Sequence, residues 1–396
     1  MRIAVVGCGV AGMAAARALA RKGHVVTLLE AFQQPRPLGS GLLLQPSGLA
    51  ALRQLGLAEQ VVARGARVER LDGRDLRGRL IMDMRYADWR PDAFGVGVHR
   101  ATLFDILHDG LESAGVALRT GVDVASFEHG AAPVLVDTAG ARHGPFDLVV
   151  VADGSASRLR AQLRPDAKAP VYPWGAVWAN ARDETGAFAG SLSQRYDRAS
   201  TMMGVLPIGR GPDGGRAELV SFFWSLPVTQ MDGFLSGDLA AWRRRAVAMW
   251  PQAAPIVEQF QDPAQFSRAS YRDVRVGRWS QGPFVLIGDA AHGTSPQLGQ
   301  GANMGIIDAV ELAERLGEDA PRSVRGFQAA RRRHAGLYQF MSRWLTPMFQ
   351  SGGWLGPFVR DAVFTPMSKA PGGRQIAARA LTGTLRLGRT PKSLRP

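Results

Sequence analysis

The sequence of 396 residues predicts an α/β protein with an inserted, mainly antiparallel β region and helices at its C-terminal end. Three observations carry that reading: a strand, turn, helix and strand within the first 30 residues; alternating, tryptophan-bearing segments over 170–275; and a return to a buried strand and helix from Phe284. Residues 2–7, Arg-Ile-Ala-Val-Val-Gly, form a short apolar run rich in β-branched residues, as a parallel strand covered on both faces requires. Ala11 to Lys22 is alanine-rich with strong helix formers, and Gly23 stands where a C-terminal cap is expected. Val25 to Glu30 reads as a second buried strand, completing a βαβ unit that is Rossmann-like in outline.

Beyond it, Ser47 to Leu57 reads as helical, and Arg100 to Ala114 as an amphipathic helix with Leu103, Ile106, Leu107 and Leu111 on one side. Strand-like alternation at 122–128 and 133–138 precedes the apolar run Phe146 to Ala152. Between 170 and 275, segments such as Ala217 to Leu226 are separated by Gly/Pro turns such as Gly209 to Gly215, which predicts a mainly antiparallel sheet. Phe284 to Ile287 is again a buried strand and Gly301 to Leu316 a helix. There is no internal repeat.

Composition narrows the function. A hydrophobic content of 46% with 21% charge is that of a soluble globular protein, and no apolar run approaches the roughly 20 residues needed to cross a bilayer. The start of the sequence lacks the features of a secretory signal, so a cytoplasmic location is expected. The lone cysteine, Cys8, forms no internal disulfide, and the seven histidines, His129 among them, show no paired metal-ligand spacing, so no metal site is expected. Redox chemistry would need an organic cofactor. The net charge of +14 is concentrated: from Ser351 to Pro396 eight Lys or Arg face one acid, Asp361. No nucleic-acid-binding module accompanies that charge, which leaves a nucleic-acid binder as an unsupported alternative.

Two stretches carry the chemistry. Gly7-Cys8-Gly9-Val10-Ala11-Gly12 lies between a strand and a helix, with Glu30 ending the next strand. Gly7 permits the tight turn, Gly9 lets the backbone approach a pyrophosphate, and Gly12 allows close helix packing. Helix-start N–H groups at Val10 and Ala11 favour an anion, and Glu30 can accept from a ribose. Cys8 reads as a small filler rather than a nucleophile. In residues 284–309 a strand delivers Gly288-Asp289, an irregular loop carries Pro296 and Gly299-Gln300-Gly301, and a helix begins near Ala302. Asp289 can accept from a ribityl hydroxyl, while the helix start faces an electron-rich ring edge.

Gly288-Asp289-Ala-Ala-His292, Pro296, Gly299-Gln300-Gly301, Asn303 and Asp308-Ala309 resemble the second FAD fingerprint of the flavoprotein aromatic hydroxylases, the family of para-hydroxybenzoate, salicylate and ubiquinone-pathway hydroxylases. Asp153-Gly154-Ser155-Ala156-Ser157-Arg158-Leu159-Arg160 resembles that family's Asp-Gly motif, which in that family touches both FAD and the transient nicotinamide cofactor. Arg100 matches its flavin-contacting arginine, and Val124 falls where a backbone contact to adenine is usual. The resemblance covers about 330 residues in order. It implies noncovalent FAD, NAD(P)H as a transient co-substrate, O₂, and hydroxylation of an aromatic or similarly electron-rich small molecule through a flavin C4a-hydroperoxide. The implied architecture is a Rossmann-like FAD-binding domain (1–70, 97–168 and 276–335), a substrate domain (71–96 and 169–275), and a C-terminal helical layer with a basic tail (336–396).

Several readings stay open. The scaffold also carries epoxidases, reductases and halogenases, and a flavin redox sensor without turnover is a different class. No catalytic base is identified. His292 reads as a residue shaping the loop rather than a proton donor. Arg100 has the bland reading of a surface arginine, Asp153 that of a helix cap, and Trp174, Trp178, Tyr196 and Trp224 that of core. Arg195, beside Tyr196, is a candidate anchor for an acidic or phenolic substrate. Trp344, Phe349, Trp354, Phe358 and Phe364, interrupted by Pro347 and Gly352-Gly353, are expected to pack as a closing layer, with peripheral contact to an anionic membrane as the second reading. Arg374 to Arg395 is expected to be a solvated face or loose end. Monomer and homodimer are both open.

Overall fold

The computed structural model describes residues 1–35, 40–128, 130, 132–212, 215 and 217–385, with backbone alone at 364–369 and 371. Two sheets organise the chain. A six-stranded sheet has the order Ser280–Gln281, Phe284–Leu286, Leu148–Val151, Arg2–Val6, Val25–Leu29, Ala117–Arg119. Its last five strands run parallel, and only the Ser280–Gln281 edge is antiparallel. Leu148–Val151 is buried along its whole length, as a strand with helices on both faces must be. Helices Val10–Ala20 and Gly301–Arg315 pack on this sheet, where Ile3, Met13, Leu28, Val150, Ile306 and Leu312 share one core.

The second sheet has nine strands: the order is Ser267–Ala269, Trp174–Arg182, Leu219–Pro227, Thr201–Gly209, Gly190–Asp197, Ala66–Asp75, Gly95–His99, Gly41–Leu44, with Leu80–Arg85 paired to Ala66–Asp75. It is mainly antiparallel, as expected, apart from the parallel pairing of Gly190–Asp197 with Ala66–Asp75. Val124–Glu128, Val134–Asp137 and Arg142–His143 form a small antiparallel sheet.

The structure changes several expectations. The boundaries at 70/71 and 96/97 fall inside strands Ala66–Asp75 and Gly95–His99, which pair with each other. Gly41–Leu44, expected with the first unit, also belongs to the nine-stranded sheet, because it pairs with Gly95–His99. The 335/336 boundary lies inside one helix, Ala320–Phe349, whose start is capped by the Asp319 carboxylate accepting the Arg322 N–H at 2.9 Å. Within 169–275, helices Met231–Ser236, Leu239–Met249 and Ala254–Val257 interrupt the strands, and the region buries Trp250, Ile256 and Val257 against Phe222 and Phe260.

At the C-terminal end Phe349 is buried, but Trp344, Trp354 and Phe358 are 50%, 78% and 65% exposed, so the expected closing layer forms only in part. The Phe364 side chain lies outside the described residues, as do His129, part of the 209–215 turn and the basic tail from 386. The arginine-rich stretch is not loose at its start: Pro371–Leu381 is a helix, and Leu381 and Thr382 are buried. No helix among the described residues is long and apolar enough to cross a membrane.

Candidate functional site

The first glycine turn is built by two close approaches. Gly7 has φ +103°, and a Cβ there would lie 2.6 Å from the Ala152 carbonyl oxygen. A Cβ on Gly12 would lie 1.9 Å from the Gly7 carbonyl oxygen, so the helix can approach the turn only because residue 12 is glycine. Gly9, the N-cap of Val10–Ala20, differs: a Cβ there would meet nothing within 4 Å. The helix start therefore opens on free space, as an incoming phosphate requires. Glu30 is buried and fixes the turn, accepting the Cys8 N–H on Oε2 (2.8 Å) and the Phe32 N–H on Oε1 (2.9 Å). Burial, and then Glu30, push the Cys8 thiol up to about 12, which agrees with the filler reading.

Asp153 follows Leu148–Val151, and Gly154 turns with φ +85°. The Asp153 Oδ1 is buried and has no hydrogen-bond partner within the protein. Burial pushes its carboxyl up, while Ser157 and nearby N–H groups pull it down. The cap of helix Arg158–Leu163 is Ser157, whose Oγ accepts the Arg160 N–H at 2.9 Å. An unpartnered buried acceptor has room for a donor from an ordered water or a ligand. Arg160 ties this loop to the second motif, donating to the Ser155 carbonyl (2.8 Å) and the Ala290 carbonyl (3.2 Å).

The second motif leaves Phe284–Leu286 through Gly288, where a Cβ would lie 2.8 Å from the Ala11 Cβ, and so lies against the first helix. Asp289 is exposed; a Cβ on Gly301 would be 3.7 Å from its Oδ1, which places the carboxylate beside the start of Gly301–Arg315. Pro296 opens a one-turn helix ended by Gly299 with φ +60°. Gly301 and Ala302 begin the next helix, with buried Gln300 as its N-cap. Asn303 is fully buried and acts as a strut: Oδ1 accepts the Gln45 N–H (2.8 Å), and Nδ2 donates to the Leu43 (3.1 Å) and Gly299 (2.9 Å) carbonyls. That use of its amide departs from the expected cofactor contact.

Behind the loop is a buried charged network. Asp308 accepts the Gly288 N–H (2.9 Å), faces His292 Nε2 (2.5 Å), and accepts Arg331 Nε (2.7 Å). Burial alone pushes the Asp308 carboxyl up, but His292 and Arg331 outweigh it and hold it at about 2. Arg331 Nη1 donates to His334 Nδ1 (2.6 Å), which leaves the ring proton on Nε2 to donate to the Gly383 carbonyl (3.0 Å). His292 also packs its ring against Trp279, as a loop-shaping residue does.

The remaining candidates are dispersed around this centre. Val124 is buried at the start of its strand. Arg100 opens helix Arg100–Glu112 and is exposed; burial pushes the Tyr271 hydroxyl up, opposed by Trp178 and by the Arg100 charge. Arg195 does not face free space: it donates to the Gln194 carbonyl (2.9 Å), stacks on Trp250 and lies 3.7 Å from Asp72. Tyr196 and Trp224 are core, while Trp174 and Trp178 are part-exposed. Sequence reasoning missed Gln45, Ser47, Arg331 and His334, and quoted Arg160 in the Asp-Gly motif without its link to Ala290. The buried Gln45 Nε2, Ser47 Oγ and Gln300 Oε1 have no partner, beside Gly299 and Gly383. No spacing rule marks such residues, because their neighbours are distant in sequence.

The residues present fit a dinucleotide flavin. An open helix start at Gly9, the carboxylate of Glu30 one strand away, an unpartnered Asp153 oxygen and a second helix start at Gly301 follow one another across contacting loops. Among the described residues no cluster of His, Cys, Asp or Glu could hold a metal ion.

Residues 1–323 match the family model described as FAD binding domain. The chain is 28% identical over 337 residues to the aurachin C monooxygenase/isomerase of Stigmatella aurantiaca, covering 84% of this chain and 85% of that one. It is 31% identical over 376 residues to the kynurenine 3-monooxygenase of Xanthomonas campestris pv. campestris, covering 86% and 77%. Its fold matches the crystal structure of Klebsiella pneumoniae HpxO complexed with FAD and uric acid, with a TM-score of 0.80 at 22% identity over 97% of this chain and 96% of that one.

Proposed function

The chain belongs to the family of FAD-dependent aromatic hydroxylases, and from that premise we propose a single-component monooxygenase using NAD(P)H and O₂ on an aromatic or similarly electron-rich small molecule. The observation that carries the reading is the meeting of three motifs around an open helix start and the unpartnered Asp153 oxygen. FAD, when bound, supplies the redox chemistry, with two electrons from NAD(P)H and one atom of O₂ reaching the substrate while the other leaves as water.

The protein's own residues bind, orient and exclude water. Gly7, Gly9, Val10, Ala11 and Gly12 would receive the pyrophosphate, Glu30 would accept from the adenosine ribose, and the Val124 backbone would meet adenine. Asp153 and Gly154 would lie against the cofactor, which could supply the Asp153 oxygen with a donor. Asp289 would hold the ribityl chain. Pro296, Gly299, Gln300, Gly301 and Ala302 would hold the flavin ring at a helix start, whose positive end favours negative charge. Asn303 keeps that loop in place, and Arg100 would contact the flavin as the family resemblance implies. NAD(P)H binds transiently, since no second dinucleotide turn is visible in the sequence. The proposal includes a cytoplasmic enzyme, consistent with its lone cysteine, acting as a monomer or homodimer.

The test is a screen of aromatic acids, phenols, quinone precursors and kynurenine for acceleration of NAD(P)H oxidation by the yellow protein. Acceleration with formation of a hydroxylated product supports the reading. Bound FAD with no acceleration across the panel favours a redox sensor.

A further inference from the structure

Ala320 to Pro396 holds 14 of the 48 Lys and Arg residues and one of the 34 acidic residues. The first 319 residues therefore carry 34 basic against 33 acidic side chains, and nearly all of the +14 excess sits on the C-terminal helices and tail. The same segment holds the exposed apolar surface. Of twelve exposed large hydrophobic residues among the described ones, seven lie between Phe340 and Ile376. Single exposed apolar side chains need no explanation, but a cluster does.

The two features share a face. On Ala320–Phe349 the exposed Arg322, Arg325, Arg332 and Arg333, then Phe340 and Trp344, recur at helical spacing. Arg332, Arg333, Leu337 and Phe340 line a shallow open groove there. The next helix begins against the apolar end: a Cβ on Gly356 would lie 2.2 Å from the Pro347 carbonyl oxygen. Trp354, Leu355 and Phe358, 78%, 58% and 65% exposed, therefore adjoin that end.

We propose that this face docks on an anionic lipid surface, with the aromatic and leucine side chains entering the interfacial layer and the arginines meeting lipid phosphates. Charge complementarity selects that occupant. A second copy of the chain would set like charges against each other, which opposes association. A nucleic acid would answer the charge, but Leu355 and Phe358 gain most from an acyl boundary. The inference does not depend on the flavin chemistry.

The test uses the full-length, FAD-loaded protein in sedimentation with phosphatidylcholine vesicles and with mixed phosphatidylcholine/phosphatidylglycerol vesicles, at low and physiological salt. Binding to the mixed vesicles should exceed binding to the neutral ones by roughly tenfold or more. Arg332→Gln with Arg333→Gln should weaken it roughly fivefold per arginine, the factor equivalent to about 1 kcal/mol for each basic residue near the surface. Trp354→Ala with Phe358→Ala should weaken it roughly tenfold and leave FAD content unchanged, because both rings are exposed. Equal binding to both vesicle types, or aromatic variants that bind as the parent does, would overturn the proposal. So would vesicle-independent dimerisation abolished by Trp354→Ala, or salt-sensitive retention on duplex DNA without vesicle binding.

Discussion

Replacing Arg331 with methionine removes a cation held 2.7 Å from Asp308, where neither side chain has any exposure. The methionine fills most of the aliphatic volume, so the loss is electrostatic rather than a cavity. Breaking a buried ion pair from one side costs about 3–5 kcal/mol, since the remaining charge stays desolvated. Asp308 keeps the Gly288 N–H and His292, which places the expected loss near the low end, at about 3 kcal/mol against a total stability of about 5–15. The pH dependence follows from the same site. The Asp308 carboxyl is held at about 2 against an ordinary 3.8, a depressed folded-state value. Its contribution, about 2 kcal/mol at 1.36 kcal/mol per unit, is present above the unfolded value and lost as pH falls through about 4 toward 2. Without Arg331 burial is less opposed, so the folded-state value rises toward the ordinary one and this site loses less stability on acidification than in the parent. Urea unfolding followed by tryptophan fluorescence, at neutral pH and down an acid series, measures both effects. Asp308→Asn in the Arg331→Met background should recover part of the loss, because that pair is coupled. A loss below about 1 kcal/mol, or strict additivity of the two substitutions, would refute the buried-pair argument.

Gly9→Trp should leave unfolding stability within about 1 kcal/mol, since nothing surrounds the position, and should abolish FAD retention; Gly12→Ala, aimed at the Gly7 carbonyl oxygen, should lower stability as well, as a paired thermal melt and flavin assay would reveal. Asp289→Ala should weaken FAD affinity by about 1–3 kcal/mol, the range for a lost charge-assisted hydrogen bond, and unchanged affinity by flavin fluorescence would remove Asp289 from the site. Truncation after Thr382 deletes the Gly383 carbonyl that accepts from His334 and the Leu385 N–H that donates to Tyr338, so it should cost about 1–3 kcal/mol rather than nothing. A truncated protein with the parent's melting temperature would restore the loose-end reading of this segment.

Legibility in the sequence follows the range of the interactions. The turn at Gly7 to Gly12 and the loop at Gly288 to Gly301 declare themselves because each depends on local backbone geometry. The partners that lock them do not. Arg160 reaches Ala290 across 130 positions, Gln300 reaches Leu381 across 81, and His334 reaches Gly383 across 49. No periodicity encodes such contacts. Asn303 stands in a cofactor fingerprint, yet its amide is used on protein backbone, which only the folded geometry reveals. Strand assignment by alternation located the large sheet but not its limits, since Ala66–Asp75 joins it through Gly190–Asp197, and Gly95–His99 and then Gly41–Leu44 follow by pairing in turn. The C-terminal aromatics were legible as apolar and interrupted. Whether the apolar face meets protein or solvent depends on which helix lies beside it.

The central claim is tested most directly by one turnover measurement with ¹⁸O₂ on the purified protein and an aromatic compound that accelerates NAD(P)H oxidation. The expected result is yellow protein with about one noncovalent FAD per chain, and one labelled oxygen atom in the product for each NAD(P)H consumed in a coupled turnover. Colourless protein that ignores added FAD, or product oxygen drawn from water instead of O₂, would contradict it.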